Sequence, residues 1–481
     1  MSINLSKGIS SLSKHSTIVD NKIEASHNPI STSRRQVRVI YVIKFLTSMS
    51  YSLNARYLNT IFKEPENSEI IVSDGYLNSL KPNSVIIQAI ANIVFGLISD
   101  KFGRKPALNV WLLGSGLCIG LSEFNKNKSA FSLLYILNAN FYCSGDIIKT
   151  MAVELSDKQS RSSTLVYLHI IEFLGLFLGQ HIGFILNRCF PFRFFSEYEL
   201  NGKNNPTHAV NTLIPCLISA SINATAYMLS RYYLNETLHE NRYILNVENI
   251  KIESKEDLDK LLKTEQSTFF GLGMSKNSKL VLIGSSLLSL AYKGFLSTEF
   301  DWFTMMDTYV GLSLNTMDFV YPLSLLFFTM TFVRLSYPDI IKKFGIIKVY
   351  KSLFLLTPAL FTKSSILNHV TKIRYDYILI IPLTVLFSVQ RGFNLFYITS
   401  SNLLLAESEE NTKNLGTLFS ISSALDNIAD LAIKSISNTI KTISVNIMLP
   451  SQLNYSYLNC SLLTTLSLTG YWISTKIKNI C

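Results

Sequence analysis

The sequence predicts an all-α membrane protein with twelve transmembrane helices arranged in two six-helix halves. Hydrophobic residues make up 48% of the 481 residues and charged residues only 16%, whereas about a quarter of an average soluble chain is charged. A bilayer is crossed by about 20 mostly apolar residues, and we count twelve runs of that kind. A charged segment separates the first six runs from the last six, a division typical of membrane proteins built from two repeats.

The predicted spans fix a simple domain organisation. The first six lie at about 37–57, 76–99, 107–123, 129–152, 163–187 and 209–232, and the last six at about 279–300, 317–337, 347–365, 374–398, 414–436 and 455–475. We therefore predict a disordered cytoplasmic arm at 1–36, an N-terminal half at 37–232, a cytoplasmic linker at 233–278 and a C-terminal half at 279–477. The arm is rich in Ser, Asn and Lys and shows no helical periodicity, which is typical of disorder.

The distribution of charge predicts the orientation in the membrane. The net charge is +11, and Lys and Arg are concentrated in the arm, the linker and alternate loops. This is the positive-inside pattern, so we expect both termini in the cytoplasm. A plasma membrane and a vacuolar-type membrane both fit. No basic face or zinc pattern accompanies the charge, which argues against nucleic-acid binding. The six cysteines form no metal-ligand spacing, so we expect neither a metal site nor a cofactor.

A compact charged motif, FGLISDKFGRKPA at 95–107, follows the second predicted span. Its marked residues are Gly96, Asp100, Lys101, Gly103, Arg104 and Lys105. Their spacing and position resemble the signature loop of the major facilitator superfamily. The resemblance implies that this loop latches one half against the other and controls the inward-opening step.

The chemistry of the motif residues is compatible with that role. Gly96 lets a neighbouring helix approach closely, and Gly103 permits a tight turn. Asp100 lies near the start of the next helix, where a carboxylate accepts backbone and guanidinium hydrogen bonds. Arg104 and Lys105 anchor the loop on the cytoplasmic side. The alternative is a set of ordinary positive-inside charges after a turn.

Further segments extend the resemblance. KKFGIIK at 342–348 repeats the Lys-Phe-Gly of 101–103, with Lys342 in the place of Asp100. GLFLGQHIG in the fifth span resembles the glycine-rich signature of drug:proton antiporters, although Gln180 replaces its usual proline. The stretches at 145–162 and 232–240 resemble zinc-induced-facilitator-like carriers, whose fourth-span arginine has no counterpart here. The three glycines of the fifth span also form one smooth face for helix packing: Gly175, Gly179 and Gly183.

Ionisable side chains inside predicted spans mark candidate transport residues, because they are costly in lipid and usually face a protein interior or an aqueous path. Glu172, with His169 one turn away, is our candidate for proton coupling, since a carboxylate in apolar surroundings can exchange a proton near physiological pH. A structural pair is the equal alternative. The candidate cavity residues are Asn54, Gln88, Asp146, Gln180, Lys293, Arg391 and Asp426. For Asp146 and Lys149 a local ion pair is favoured, and Asp426 or an anionic substrate would balance Arg391.

The sequence favours a secondary transporter over an enzyme. It contains no phosphate-binding loop and no hydrolase or metalloprotease motif. The resemblance implies alternating access driven by an ion gradient, with H⁺ as the coupling ion, a small-molecule substrate, and export or antiport in a lipid bilayer. A nutrient facilitator or symporter remains open, as does a receptor or scaffold that does not transport.

Overall fold

A computed structural model describes most of the predicted helical regions. The described residues are 29–61, 74–122, 133–134, 136–138, 145–189, 213–238, 274–304, 331–332, 335–370, 396–408, 414–446 and 453–477. Nearly all of them are helical, as the apolar runs predicted. Most of the predicted linker, most of the eighth and tenth predicted spans, and Arg391 lie outside these ranges.

The first set of helices occupies the N-terminal part of the chain. Its members are α1 (Pro29–Ile61), α2 (Asp74–Phe102), α3 (Arg104–Ser122), α4 (Gly145–Glu154), α5 (Arg161–Cys189) and α6 (Leu213–Tyr233). Helix α1 packs along α5 and α6, and α3 packs along α6. A buried apolar core joins α1, α3, α4, α5 and α6 around residues such as Ile43, Trp111 and Met151.

The second set occupies the C-terminal part. Its members are α7 (Lys276–Thr304), α8 (Tyr337–Phe344), α9 (Ile346–Val370), α10 (396–408), α11 (Leu415–Asn446) and α12 (Leu453–Thr475). Helix α7 packs on α11 and α12, and α9 packs on α12. The two sets meet where α2 and α4 contact α11 and where α5 contacts α8. A second apolar core crosses this boundary and includes Val153 and Leu165 from the first set and Tyr337 and Phe419 from the second.

Helix α1 begins earlier than the sequence predicted. It starts at Pro29, so 29–36 are helical although the arm was predicted to be disordered as far as residue 36. Tertiary contacts explain the difference. The Gln36 amide donates to the Tyr233 carbonyl over 3.0 Å and accepts from the Asn235 backbone over 2.9 Å. These bonds offset the cost of ordering the segment, and composition alone does not reveal them.

Two stretches among the described helices are long and apolar enough to cross a bilayer by length and composition alone. They are Val85–Phe102 within α2 and Arg161–Gly183 within α5. Both carry the groups discussed below, so the polar sites lie on or directly beside apolar helices.

Candidate functional site

The charged motif forms a one-residue break between α2 and α3. Gly103 has a φ of 107°, a left-handed conformation that side chains with a Cβ rarely adopt. A Cβ at this position would also lie 2.7 Å from a carboxylate oxygen of Glu236. Gly103 therefore serves both the turn and the close approach of the segment that follows α6.

Asp100 binds the N-terminus of a helix from the other set. Its carboxylate accepts the backbone N–H of Gly416 over 3.1 Å and that of Thr417 over 2.7 Å, and it also accepts the Thr417 hydroxyl. Free N–H groups and the helix dipole make such an end favourable for an anion. The sequence suggested the start of the next helix, α3. Arg104, the first residue of α3, does supply the guanidinium, but the backbone N–H groups come from the first turn of α11.

Two glycines let α2 and α11 approach each other here. A Cβ on Gly96 would lie 2.6 Å from the Ser420 hydroxyl oxygen and 3.0 Å from the Thr417 Cα. A Cβ on Gly416 would lie 2.7 Å from both the Asp100 carboxylate and the Ser99 hydroxyl. The sequence marked Gly96 but not Gly416, which lies in a short loop-to-helix stretch without a recognisable pattern.

Arg104 is a fully buried cation at the centre of this cluster. Its guanidinium donates to Asp100, to the Ser99 hydroxyl over 3.0 Å, and to Glu154 over 3.0 and 3.2 Å. Burial acts to lower the pKa of Arg104, but the carboxylates of Glu154 and Asp100 outweigh it and raise that pKa. Breaking a buried pair of this kind leaves an uncompensated charge, so loss of either carboxylate should be strongly destabilising.

Glu236 completes the cluster at the N-terminus of α3. Its two carboxylate oxygens accept the backbone N–H groups of Arg104 over 2.8 Å and Lys105 over 3.0 Å. The Thr237 hydroxyl donates to Glu154 over 2.6 Å. Neither glutamate was selected from the sequence. The available signal was Arg104 itself, because a guanidinium has five donors and Asp100 alone cannot satisfy them.

The other basic residues of the motif lie at the periphery. The Lys101 side chain is exposed, and its ammonium lies 5.5 Å from the centre of the Phe102 ring. Lys105 is half-buried and contributes its backbone N–H to Glu236. We call the set Ser99, Asp100, Arg104, Glu154, Glu236, Gly416 and Thr417 the latch cluster.

A second polar group lies further along α1 and α5. The Lys44 ammonium is 2.8 Å from Glu172, and the His169 Nδ1 atom is 3.3 Å from the other oxygen of the same carboxylate. Gly175 and Gly179 face α1 closely, since Cβ atoms there would lie 3.0 Å from the Cβ atoms of Ser48 and Ser52 respectively. This close contact sets the register that brings Lys44 opposite Glu172. Gly183 is buried further along the same helix.

A third group joins α4 to α11. The Lys149 ammonium lies 3.1 Å from Asp146, the local pair that the sequence favoured. The Ser423 hydroxyl donates to the same carboxylate over 2.7 Å. Asp146 therefore links the two sets of helices about two turns along α4 from Glu154.

A fourth group joins α7 to α11. The Lys293 ammonium lies 3.0 Å from Asp426, and the Ser289 hydroxyl also donates to that carboxylate. The sequence offered Asp426 as a partner for Arg391, which lies outside the described residues. Within the described structure the carboxylate is bound by Lys293, one turn beyond Ser289 on α7.

The remaining candidate residues are more dispersed. Asn54 is buried on α1 and accepts the Cys216 thiol over 3.8 Å. Gln88 is half-buried on α2, and Gln180 is exposed on α5. Among the described residues no group of three or more His, Cys, Asp or Glu side chains is arranged to hold a metal ion.

Comparison of the sequence with known proteins finds similarity to a plant protein. No protein-family profile matches the chain. A protein named probable peptide/nitrate transporter from Arabidopsis thaliana is 25% identical over 346 residues, which cover 67% of this chain and 66% of the relative. The similarity thus spans a little under two thirds of that protein's length.

Comparison of the structure gives broader coverage. The human organic anion transporter MFSD10 superposes with a TM-score of 0.66 at 13% identity, covering 93% of this chain and 100% of the other. The E. coli fucose:proton symporter FucP in the outward conformation gives 0.62 at 12%, covering 92% and 98%. The proton:xylose symporter XylE gives 0.56 at 14%, covering 93% and 96%. These proteins are transporters rather than enzymes, and the chain has the fold of the major facilitator superfamily.

Proposed function

We propose that this chain is a multi-pass membrane transporter that moves a small solute by alternating access, with export or antiport coupled to protons. The observation that carries the proposal is the position of Asp100 on the first turn of α11. It ties one six-helix set to the other at a single end of the bundle. We assign that end to the cytoplasm, because the adjoining loops and termini are rich in Lys and Arg.

In this proposal the latch cluster holds the cytoplasmic end closed. Opening that end requires α2 to move from α11, which separates Asp100 from the N–H groups of Gly416 and Thr417. The buried Arg104 would keep Asp100 and Glu154, which belong to the first set, while Asp100 would lose its bonds to the second set. A gate of this kind has two discrete arrangements, which alternating access requires. Because Gly96 has no side chain, α2 and α11 pack closely in the closed arrangement.

Glu172 is the proposed proton carrier. It is shared between Lys44 on α1 and His169 on α5, so adding a proton to Glu172 would remove the charge that pairs with Lys44. That change would loosen α1 from α5 inside the first set. The glycine-rich face of α5 against α1 resembles that of drug:proton antiporters, which supports coupling to H⁺ and the proposed relation to the zinc-induced-facilitator-like group.

The first experiment compares small molecules retained by cells that produce the wild type, Asp100→Asn or Asp157→Asn at matched surface levels. Asp157 is an exposed carboxylate in the connector between α4 and α5, so its variant controls for the change of charge. We expect a few solutes to differ from the empty-cell profile with the wild type and Asp157→Asn but not with Asp100→Asn. Identical profiles for all variants and for empty cells would argue for a receptor or scaffold.

A second experiment tests proton coupling. Transport of the solutes found above is measured with and without a collapsed pH gradient in the wild type and in Glu172→Gln. We expect collapse to abolish net accumulation or extrusion by the wild type, and Glu172→Gln to transport only down the solute gradient. Equal transport by the wild type in both conditions would favour a nutrient facilitator instead.

A further inference from the structure

In each ion pair away from the latch cluster, one side chain is more exposed to solvent than its partner. In the α1–α5 pair, the Lys44 side chain is 6% exposed and Glu172 27%. In the α7–α11 pair, Lys293 is 21% exposed and Asp426 41%. In both of these pairs the carboxylate is the more accessible charge and the ammonium lies behind it.

In the α4 pair the ammonium, not the carboxylate, is the more exposed group. Lys149 is 15% exposed and Asp146 only 5%, because Asp146 is covered by Ser423 of α11. A Cβ on Gly145, next to Asp146 on α4, would lie 3.4 Å from the Lys44 ammonium. Ser423, which binds Asp146, lies one turn before Asp426 on α11. The accessible charges, the Lys149 ammonium of α4 and the carboxylates of Glu172 on α5 and Asp426 on α11, therefore lie near one region between the two sets.

Among the described residues, the three ion pairs of this region are balanced in charge. Their three ammonium groups pair with three carboxylates, so the formal sum of these six groups is zero. A solute with one net charge would leave that charge uncompensated in a region of low dielectric, which is costly. A solute carrying one positive and one negative group would preserve the balance while giving Lys149 and one of the two accessible carboxylates an opposite partner.

We propose that this region binds a small zwitterion that carries both an amino cation and a carboxylate, such as an amino acid or a short peptide. The solute carboxylate binds Lys149, and the solute ammonium lies against Glu172 or Asp426. An ammonium group has three N–H donors, so Lys149 can bind the solute while it keeps Asp146. This assignment rests on the proposed transport function and names the substrate class of that same protein.

A neutral polyhydroxylated solute is the main rival. Hydroxyl groups need donors and acceptors but do not need three ion pairs inside a bilayer, where each ionised group is expensive. The retention of three such pairs, contributed by α1, α4, α5, α7 and α11, therefore favours a solute that is itself charged at two points.

The test measures binding to the purified full-length chain in detergent by isothermal titration calorimetry. The probes are free dialanine (zwitterion), N-acetyl-dialanine (anion), dialanine amide (cation) and xylose (neutral). We expect dialanine to bind at least about tenfold more tightly than each singly charged analogue, since about 1.4 kcal/mol per lost ion contact gives that factor. Equal or tighter binding of xylose or of a singly charged analogue, or no binding of dialanine, would overturn the proposal.

Variants assign the two ends of the solute. Lys149→Gln should remove the preference for dialanine over its amide, and Lys149→Arg should restore it. Asp426→Asn should reduce the preference for dialanine over N-acetyl-dialanine. The exposed Lys348 and Asp157 supply the controls Lys348→Gln and Asp157→Asn, which should bind like the wild type. If a folded Lys149→Gln protein keeps the wild-type preference for dialanine over its amide, the assignment of Lys149 to the solute carboxylate is wrong.

This binding test is independent of the cellular test of transport. If xylose binds while Asp100→Asn still abolishes changes in cellular solutes, the transport function stands and the zwitterion assignment is lost. If dialanine binds with the expected selectivity but no solute changes in cells, the site is correct and the transport function fails.

Discussion

The two loops that carry the Lys-Phe-Gly sequence have a similar backbone conformation but differ in the charged contacts around it. Gly103 and Gly345 have φ angles of 107° and 79°. Each donates its N–H to the carbonyl four residues earlier, over 3.2 Å to Ser99 and 2.8 Å to Ile341. The same break thus separates α2 from α3 and α8 from α9. This similarity supports an origin of the two sets by duplication.

The side chains around the two turns differ sharply. An offset of 242 residues places the exposed Lys342 opposite Asp100 and the half-buried Ile346 opposite Arg104. Helix α8, which precedes the second turn, contacts the first set through α5, and this contact is apolar and includes Val166 and Tyr337. A duplicated backbone therefore supplies the turn, while only the first copy holds the other set by a charged helix cap.

The largest effect is expected when the first loop loses its cation. Arg104→Ala leaves Asp100 and Glu154 buried without their partner, which costs about 3–5 kcal/mol. Arg104→Lys keeps the charge but not the forked geometry, so its loss should be smaller. The measurement is the thermal unfolding midpoint of purified protein, with Arg35→Ala as a control because Arg35 is exposed on α1. Equal midpoints for Arg104→Ala and Arg35→Ala would refute the role of the latch cluster.

A matched pair of glycine substitutions separates the shared backbone from the unshared contact. Gly345→Ala adds only the strain of a left-handed backbone, since no atom of the described residues lies within 4 Å of the added Cβ. It should cost about 1–2 kcal/mol. Gly103→Ala has the same backbone cost. Its Cβ would also lie 2.7 Å from a carboxylate oxygen of Glu236 and displace that side chain. We expect the lower unfolding midpoint for Gly103→Ala. The reverse order would show that Glu236 moves without cost.

Glu407 offers a test of pH dependence in the second set. Burial raises its pKa, and the positive charges of Arg161 and Lys158 act in the opposite direction. A carboxyl group with a raised folded-state pKa stabilises the fold below its unfolded pKa, and that stability is lost as pH rises through the folded value. Between about pH 4 and pH 7, the unfolding midpoint of Glu407→Gln should therefore fall less than that of the wild type. Parallel curves would show that Glu407 does not titrate differently in the two states.

The sequence predicted much of this organisation and missed the partners. The motif at 95–107 located the turn at Gly103 and the charged residues beside it, because these features are local. The helix N-terminus at Gly416 and Thr417, whose N–H groups donate to Asp100, lies more than 300 residues away, and no local pattern connects it with Asp100. Likewise, the sequence identified Lys44 and Glu172 as ionisable groups that are costly to place inside a membrane. Their pairing depends on which faces of α1 and α5 meet, which only the packed helices determine.

The smallest effect is expected from the substitution that makes the second loop look most like the first. Lys342→Asp recreates the acid of the Asp100 position, but Lys342 is exposed and Ile346 supplies no guanidinium to hold a carboxylate in place. A helix N-terminus binds an anion only when the side chain is directed at its N–H groups. We therefore expect a change in the unfolding midpoint corresponding to less than about 1 kcal/mol, as for exposed charges in general. The double variant Lys342→Asp/Ile346→Arg sharpens the comparison. A gain in stability by the double variant alone would show that the acid and the arginine form a latch only together.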